Sequence, residues 1–439
     1  MSYDYLWHIA LILISTKLFG LITRRFQMPQ VVGALLAGLF LGPAFGLNWI
    51  QSTDMLSKLA ELGVIIIMFS AGMGTDVQEL KKSGKSGFLV AMMGVLAPLG
   101  MGTLLAYAFN RGEFATGGNT MLQNIFVGVI LTATSVSITV ETLKEMGKLQ
   151  TKVGNTILAA AIIDDILGLI ALTIVTSLGG ADVNVWMVLL KIALYFVFAA
   201  VAWFVIRKAF DWYVKKMKSK NLQRYSITAF VICLIMSYLA EEVFGVADII
   251  GAFTAGLIIS GTPKGDYISS KFVPIQYLFL TPIFFASIGL KVKIDTMSWT
   301  ILIFAVLLSI VAILSKLIGC GLGAKCYGFT NKEALQTGLG MACRGEVALI
   351  VANKGMAMGL LPEAFFGPVI IMVTCCAVFT PILLKLVFKP SKNSASAYDD
   401  LHSNALADKM EEHEQLEIIS DKLLTANREA QRQNTNKDK

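Results

Sequence analysis

Apolar stretches long enough to span a bilayer alternate with short polar ones from residue 5 to residue 388. A spanning helix takes about 20 mostly apolar residues. Thirteen stretches meet or approach that length: 5–24, 30–47, 56–74, 86–109, 121–143, 153–178, 184–207, 225–244, 246–261, 272–290, 298–324, 333–358 and 363–388. The ninth is short. The pattern predicts an all-α polytopic membrane protein. A polar tail follows from Ser391 to Lys439, mildly helical around 401–424. It reads as a cytoplasmic amphipathic helix or a disordered segment, and it is too short for a nucleotide-binding domain.

Composition narrows the class further. The chain has 439 residues, 55% apolar and only 15% charged. Soluble domains carry roughly 25% charged residues, and a soluble chain this long needs several polar-surfaced domains. A soluble enzyme, a disordered regulator and a secreted disulfide scaffold are excluded. The six cysteines form no CxxC pair and read as buried thiols. His8, His402 and His413 lie near the N-terminus or in the tail, so neither a histidine metal site nor a histidine proton relay is expected.

The formal net charge of +7 would suit nucleic acid, but its distribution assigns it to a membrane. Nineteen basic residues fall in the loops that follow odd-numbered spans, among them Lys81, Lys82, Lys144, Lys148, Arg207, Lys216 and Lys325. The opposite loops hold five: Lys58, Arg111, Lys291, Lys293 and Lys354. The positive-inside rule then places the N-terminus outside and the C-terminus in the cytoplasm of a multi-pass plasma-membrane protein. No nucleic-acid partner and no cofactor are expected. The N-terminus lacks the basic start and cleavage site of a signal peptide, so the first span is expected to persist.

A charge at membrane depth is costly and marks function by default. Such residues are Lys17, Asp164, Asp165, Lys191, Lys316, Arg344 and Glu346, with Glu241, Glu242 and Asp248 near an outer helix end. Lys17 and Lys191 lie near helix ends, where a lysine reaches outward. Asp164 and Asp165 stand mid-span, and adjacent helix residues point about 100° apart. One carboxylate can therefore meet a fixed partner while the other faces a water-filled cavity. Lys316, also mid-span, is the expected partner of Asp164. Hard carboxylate oxygens suit Na⁺, Li⁺ or H⁺.

Two spans carry signs of interruption. Residues 128–139 are crowded with β-branched and hydroxyl residues, including Thr132, Thr134 and Ser135, and 338–346 holds Gly338, Gly340 and Gly345 beside Arg344 and Glu346. Broken segments at matching places in two halves point to crossing discontinuous helices in an inverted repeat. Spans 1–6 and 8–13 are the expected repeats, joined by span 7. The hydroxyls either satisfy freed backbone groups or offer oxygens to an ion. Glu346 can neutralise the positive ends of half-helices. Gly38-x-x-x-Gly42 and Gly319-x-x-x-Gly323 read as helix-packing faces. Gly84-Lys85-Ser86 lacks the upstream glycine of a P-loop, so ATP binding is rejected.

These residues together resemble a known group. Thr-Ala-Thr-Ser at 132–135, Asp164-Asp165, Gly-Ala-Phe-Thr-Ala-Gly at 251–256, Lys316 and Arg-Gly-Glu-Val-Ala-Leu-Ile at 344–350 occur in order. The chain, over about residues 5–388, resembles bacterial monovalent cation:proton antiporters of the sodium/hydrogen exchanger superfamily, in the branch of NapA-type and Kef-type proteins. The resemblance implies dimerisation helices at about 5–74 and 225–290, core transport helices at about 86–178 and 298–388, and a linker helix at about 184–207. It implies a homodimer and an elevator movement of the core. It makes Asp165 the ion- and proton-carrying residue, Asp164 the neighbour paired with Lys316, and Glu346 the crossing-helix glutamate. The two-acid form resembles electrogenic members. Kef-type proteins commonly carry a nucleotide-binding domain; none is expected here, which speaks against glutathione- or nucleotide-gated potassium efflux.

The reading is a secondary-active, electrogenic Na⁺/H⁺ antiporter, not an enzyme, with Asp164 and Asp165 as ligands of the transported Na⁺. The alternative is a K⁺/H⁺ or Na⁺/H⁺–K⁺ antiporter of the same fold. A channel fits less well with buried paired acids. An intramembrane aspartyl protease needs two aspartates on separate helices, and here they are adjacent.

Overall fold

The computed structural model describes residues 3–25, 28–43, 49–110, 119–179, 184–216, 223–262, 264–292 and 298–388. The polar tail lies outside the described residues. Every predicted apolar stretch carries helix. The first half holds α1 (Asp4–Arg25), α2 (Gln30–Leu41), α3 (Asp54–Met73), α4 (Val77–Phe109), α5 (Thr120–Thr132), α6 (Val136–Glu145) and α7 (Lys152–Leu178). Helix α8 (Val185–Lys216) leads to α9 (Gln223–Tyr238), which runs into a π-turn at Leu239–Val243, and then to α10 (Asp248–Ser260). Helix α11 (Gly265–Ile275), a second π-turn at Gln276–Leu280 and α12 (Thr281–Leu290) form one continuous rod. The chain ends with α13 (Trp299–Cys326), α14 (Asn331–Gly340), α15 (Glu346–Ala357) and α16 (Glu363–Phe388). Among the described residues, ten helical stretches are long and apolar enough to cross a bilayer, and α2 and α10 are shorter apolar helices.

Several boundaries differ from those predicted. Helix α2 stops at Leu41 rather than 47, because Pro43 cannot continue a helix and restricts the residue before it. Helix α4 begins nine residues before 86, and α8 runs on to Lys216. Lys81, Lys82, Lys85, Arg207 and Lys208 therefore stand on helical extensions rather than in loops. Lysine and arginine are good helix formers, so the end of the apolar stretch is not the end of the helix. Gly84-Lys85-Ser86 is plain helix within α4.

Several helix starts are capped by side chains. Thr53, Asp76, Asn119, Thr151 and Ser298 each accept from a backbone N–H of the following turn. Thr330 and Glu333 form a reciprocal capping box at the start of α14. The turn that stops α6 after Glu145 passes through Gly147, whose φ of 64° is the left-handed conformation that favours glycine. There the N–H of Lys148 closes onto the Leu143 carbonyl at 2.8 Å.

Helix packing follows small residues. Helix α2 packs against α12, and α3 against α10 and α12. A Cβ on Gly38 would overlap the Ala286 carbonyl, so the backbones of α2 and α12 touch. A second set gathers around α4, which packs on α5, α7 and α13, while α13 also packs on α14 and α16. Gly319 and Gly323 lie against the α4 backbone at Met93 and Leu89. Both Gly-x-x-x-Gly pairs are thus packing faces within the chain, where close approach substitutes for the hydrophobic drive that lipid removes.

Candidate functional site

Helix α7 carries the two aspartates between α4 and the broken helices. Asp164 points toward α13, where its Oδ1 accepts a 2.6 Å hydrogen bond from Lys316 Nζ. Asp164 is 2% exposed and Lys316 0%. Ions this deep persist only with each other, since removing either partner strands a buried charge. The expected Asp164–Lys316 pair is therefore present as geometry.

Space for the pair comes from Gly94 on α4. A Cβ there would overlap Cys320 Sγ and lie 3.5 Å from Lys316 Nζ and 3.7 Å from Asp164 Oδ1. Sequence reasoning missed Gly94. The signal was available in Gly87, Ala91, Gly94, Pro98, Gly102 and Ala106, which repeat at helical spacing and are all buried.

Asp165 turns to another face of α7. It is half-buried, and its Oδ2, itself shielded from solvent, has no hydrogen-bond partner among the described residues. An unpartnered carboxylate oxygen in apolar surroundings favours a proton or a cation. The two neighbours thus differ as helix geometry requires: one is locked, the other open.

The crossing lies beside them. Residues Ala133–Ser135 separate α5 from α6, and Met341–Gly345 separate α14 from α15. The two gaps are stitched together. The Ser135 N–H donates to the Cys343 carbonyl at 3.0 Å, and the Thr139 hydroxyl donates to the Gly340 carbonyl at 2.8 Å. A Cβ on Gly345 would lie 2.6 Å from Ser135 Oγ, so the gaps meet without room for a side chain. Arg344, fully buried, donates at 3.3 Å from Nη1 to the Met341 and Cys343 carbonyls and from Nη2 to that of Ala312. Its cation thus covers the carbonyl end of α14. Glu346 is half-buried in the first turn of α15, where a carboxylate offsets the positive helix end.

The hydroxyls of this region bond backbone. Thr132 Oγ1 donates to the Val129 carbonyl at 2.7 Å, and Thr134 Oγ1 has the Thr132 and Met341 carbonyls at 3.5 Å each. Their lone pairs stay available, because donation uses only the proton. Thr132 also reaches α7: a Cβ on Gly168, one turn beyond Asp164, would sit 3.8 Å from its Oγ1. Ser135 Oγ lies 3.4 Å from Ser137 Oγ.

Lys17 and Lys191 are exposed on their helices, as expected of outward-reaching lysines. Glu241 and Asp248 lie together, with the Asp248 N–H donating to Glu241 at 3.1 Å. A further carboxylate, Glu141 on α6, went unremarked in the sequence. It is 2% exposed and accepts from Gln276 Nε2 at 3.0 Å.

Comparison with known proteins places this geometry. The family described as "Sodium/hydrogen exchanger, transmembrane" matches residues 10–389. The chain is similar to the Na(+)/H(+)-K(+) antiporter GerN of Bacillus cereus, 38% identical over 390 residues, covering 88% of this chain and 97% of GerN. It is similar also to a Na(+)/H(+) antiporter of Enterococcus hirae, 37% identical over 392 residues, covering 88% and 98%. Its fold matches the sodium proton antiporter MjNhaP1 from Methanocaldococcus jannaschii with a TM-score of 0.63 at 18% identity, covering 88% of this chain and 98% of that one. The buried aspartate pair and crossed broken helices thus sit in a chain that belongs to the sodium/hydrogen exchanger family.

Proposed function

We propose that the protein is a secondary-active Na⁺/H⁺ antiporter, a carrier and not an enzyme, with Asp165 as the residue that exchanges protons for the cation. One observation carries the reading. Asp164 is held by Lys316 at 2.6 Å, while the adjacent Asp165 keeps a buried oxygen that has no partner among the described residues. A fixed ion pair beside an open carboxylate is suited to alternate occupancy, because Na⁺ and H⁺ compete for the same oxygen. The names of the relatives from Bacillus cereus and Enterococcus hirae support it.

In this reading the site gives up its protons on one side, takes the cation at Asp165, and crosses with the Asp165 charge neutralised, while the Asp164–Lys316 pair breaks and re-forms. More than one proton per cation makes the exchange electrogenic. Asp164, Lys316 and the lone pairs of Thr132, Thr134 and Ser135 shape the site, and Arg344 and Glu346 balance the half-helix ends. The set of helices around α4 and α13 moves as an elevator against the set of α1–α3 and α9–α12, which forms a homodimer. The carrier lies in the plasma membrane with its C-terminus in the cytoplasm, is electrogenic and serves pH homeostasis. Exchange that includes K⁺ is the second reading, favoured by the name of the GerN relative.

The test is cation-driven proton flux in proteoliposomes with Na⁺, Li⁺ and K⁺ in turn, at set voltage. Wild-type protein is expected to exchange and Asp165→Asn to be inactive. Full exchange by Asp165→Asn would overturn the site.

A further inference from the structure

The half-helix α6 leaves the crossing and ends in two carboxylates one turn apart, Glu141 and Glu145. Neither is used by the ion site. Both reach across to helices of the other set. Glu145 takes the backbone N–H of Gln30 on its two oxygens at 2.8 and 2.9 Å. That N–H opens α2, whose N-cap Pro29 supplies no side-chain cap. Glu145 thus caps a helix 115 residues away in sequence.

Glu141 is the more enclosed. Its Oε2 accepts from Gln276 Nε2 at 3.0 Å, in the π-turn between α11 and α12. Gln276 is 0% exposed, and its Oε1 accepts in turn from Lys144 Nζ at 3.2 Å. The Gln276 amide therefore links a cation to a carboxylate and is polarised by both. The Tyr277 hydroxyl faces the same carboxylate, and Lys144 Nζ stands 5.4 Å from the Tyr277 ring centre. The other oxygen, Oε1, is buried and has no partner among the described residues. A proton can bind there without displacing any bond.

We propose that Glu141 is a proton-binding site separate from the aspartate pair, whose ionised form fastens α6 to the π-turn at 276–280 and whose neutral form lets it go. The proposal rests on the antiport reading for what the release accomplishes. If the helix set around α4 slides, α6 moves with it, and the Gln276 bond breaks. An ionised carboxylate pulled from that bond is left buried and unpaired, which is strongly disfavoured. A protonated one moves as a neutral group. Proton loading of Glu141 thus precedes movement, and alkaline conditions lock α6 in place.

The charged and titratable neighbours are few. On α6 they are Lys144 and Glu145, with Lys148 in the turn that follows. The π-turn supplies Tyr277, and α16 supplies Lys385, which acts on Glu145. Helix α2 has no ionisable side chain, and those of α3, Asp54, Lys58 and Glu61, lie at its opposite end. On α7, Lys152 pairs with Glu333 at 3.7 Å, and the remaining acids are the aspartate pair.

The test compares the pH profile of cation-driven proton flux in proteoliposomes for wild type, Glu141→Gln and Gln276→Leu. Glutamine keeps shape and acceptor but cannot titrate. Both variants are expected to move the alkaline decline of the wild-type profile upward by about one pH unit or to remove it. An unchanged alkaline limb in the folded variants overturns the proposal. Gln276→Leu decides the matter if Glu141→Gln does not fold, since it alters no titrating group. Infrared titration of the purified protein separates this idea from the antiport reading. A carboxylic-acid carbonyl band that titrates in wild type and in Asp165→Asn, and is missing in Glu141→Gln, is expected whether or not flux occurs. No such difference between the variants overturns the site. Absence of flux in wild type at every pH overturns antiport alone.

Discussion

Lys316 and Asp164 hold each other in a place where neither survives alone. Removing one partner of such a pair costs about 3–5 kcal/mol, because the other charge stays buried. Asp164→Ala and Lys316→Ala are each expected to lower the thermal unfolding temperature in detergent strongly. The double variant Asp164→Ala/Lys316→Ala is expected to recover part of the loss. Single variants as stable as wild type would contradict the pairing. Gly94→Ala is expected to destabilise the protein. Its new methyl overlaps Cys320 Sγ, and overpacking of this kind costs about 1–3 kcal/mol. Adding Cys320→Ala removes the obstructing sulfur, and stability is expected to return in the double variant. The aspartates were legible in the sequence because charge is so expensive at membrane depth. Gly94 was legible only as one member of the small-residue stripe of α4, since its particular role depends on which side chains α13 brings opposite it. Glu141 escaped notice because it lies near the end of the predicted span 121–143, where acids are ordinary; only the fold reveals Gln276 and α2 across from that end.

At the scale of elements, the two broken helices are one unit. Each gap leaves backbone groups without helical partners, and the other gap, Thr139 and Arg344 supply them. Arg344→Gln is expected to lower stability by about 1.5–3 kcal/mol, the range for hydrogen bonds made by a charged group. Thermal unfolding measures it, and a neutral effect would deny Arg344 its capping role. The breaks themselves were legible, because hydroxyl and β-branched residues on one side and glycines on the other interrupt both apolar stretches. The two π-turns were not. One extra residue per turn leaves an apolar stretch looking the same, yet the turn at 276–280 is what sets Gln276 against Glu141. The early stop of α2 was readable from Pro43 but hidden by the apolar residues beyond it.

At the scale of the molecule, charge scarcity and charge placement carry separate information. Scarcity identifies lipid as the solvent. Placement gives the proposed orientation, with the basic ends of α4, α8 and α13 in the cytoplasm. Cys326 tests it, being an exposed thiol at the end of α13. A membrane-impermeant maleimide is expected to label it in everted vesicles and not in intact cells; the reverse pattern would invert the topology. Two helix sets, one around α4 and α13 and one around α2, α3 and α12, give the proposed elevator its moving and fixed parts. Everything in that movement depends on a site that takes either protons or a cation. Transport therefore turns on competition at Asp165, which proton release on Na⁺ addition to the purified protein in weak buffer reports. Wild-type protein is expected to release protons in proportion to the Na⁺ bound, and Asp165→Asn to bind little Na⁺ and release none. Undiminished Na⁺-induced proton release from Asp165→Asn would contradict the account.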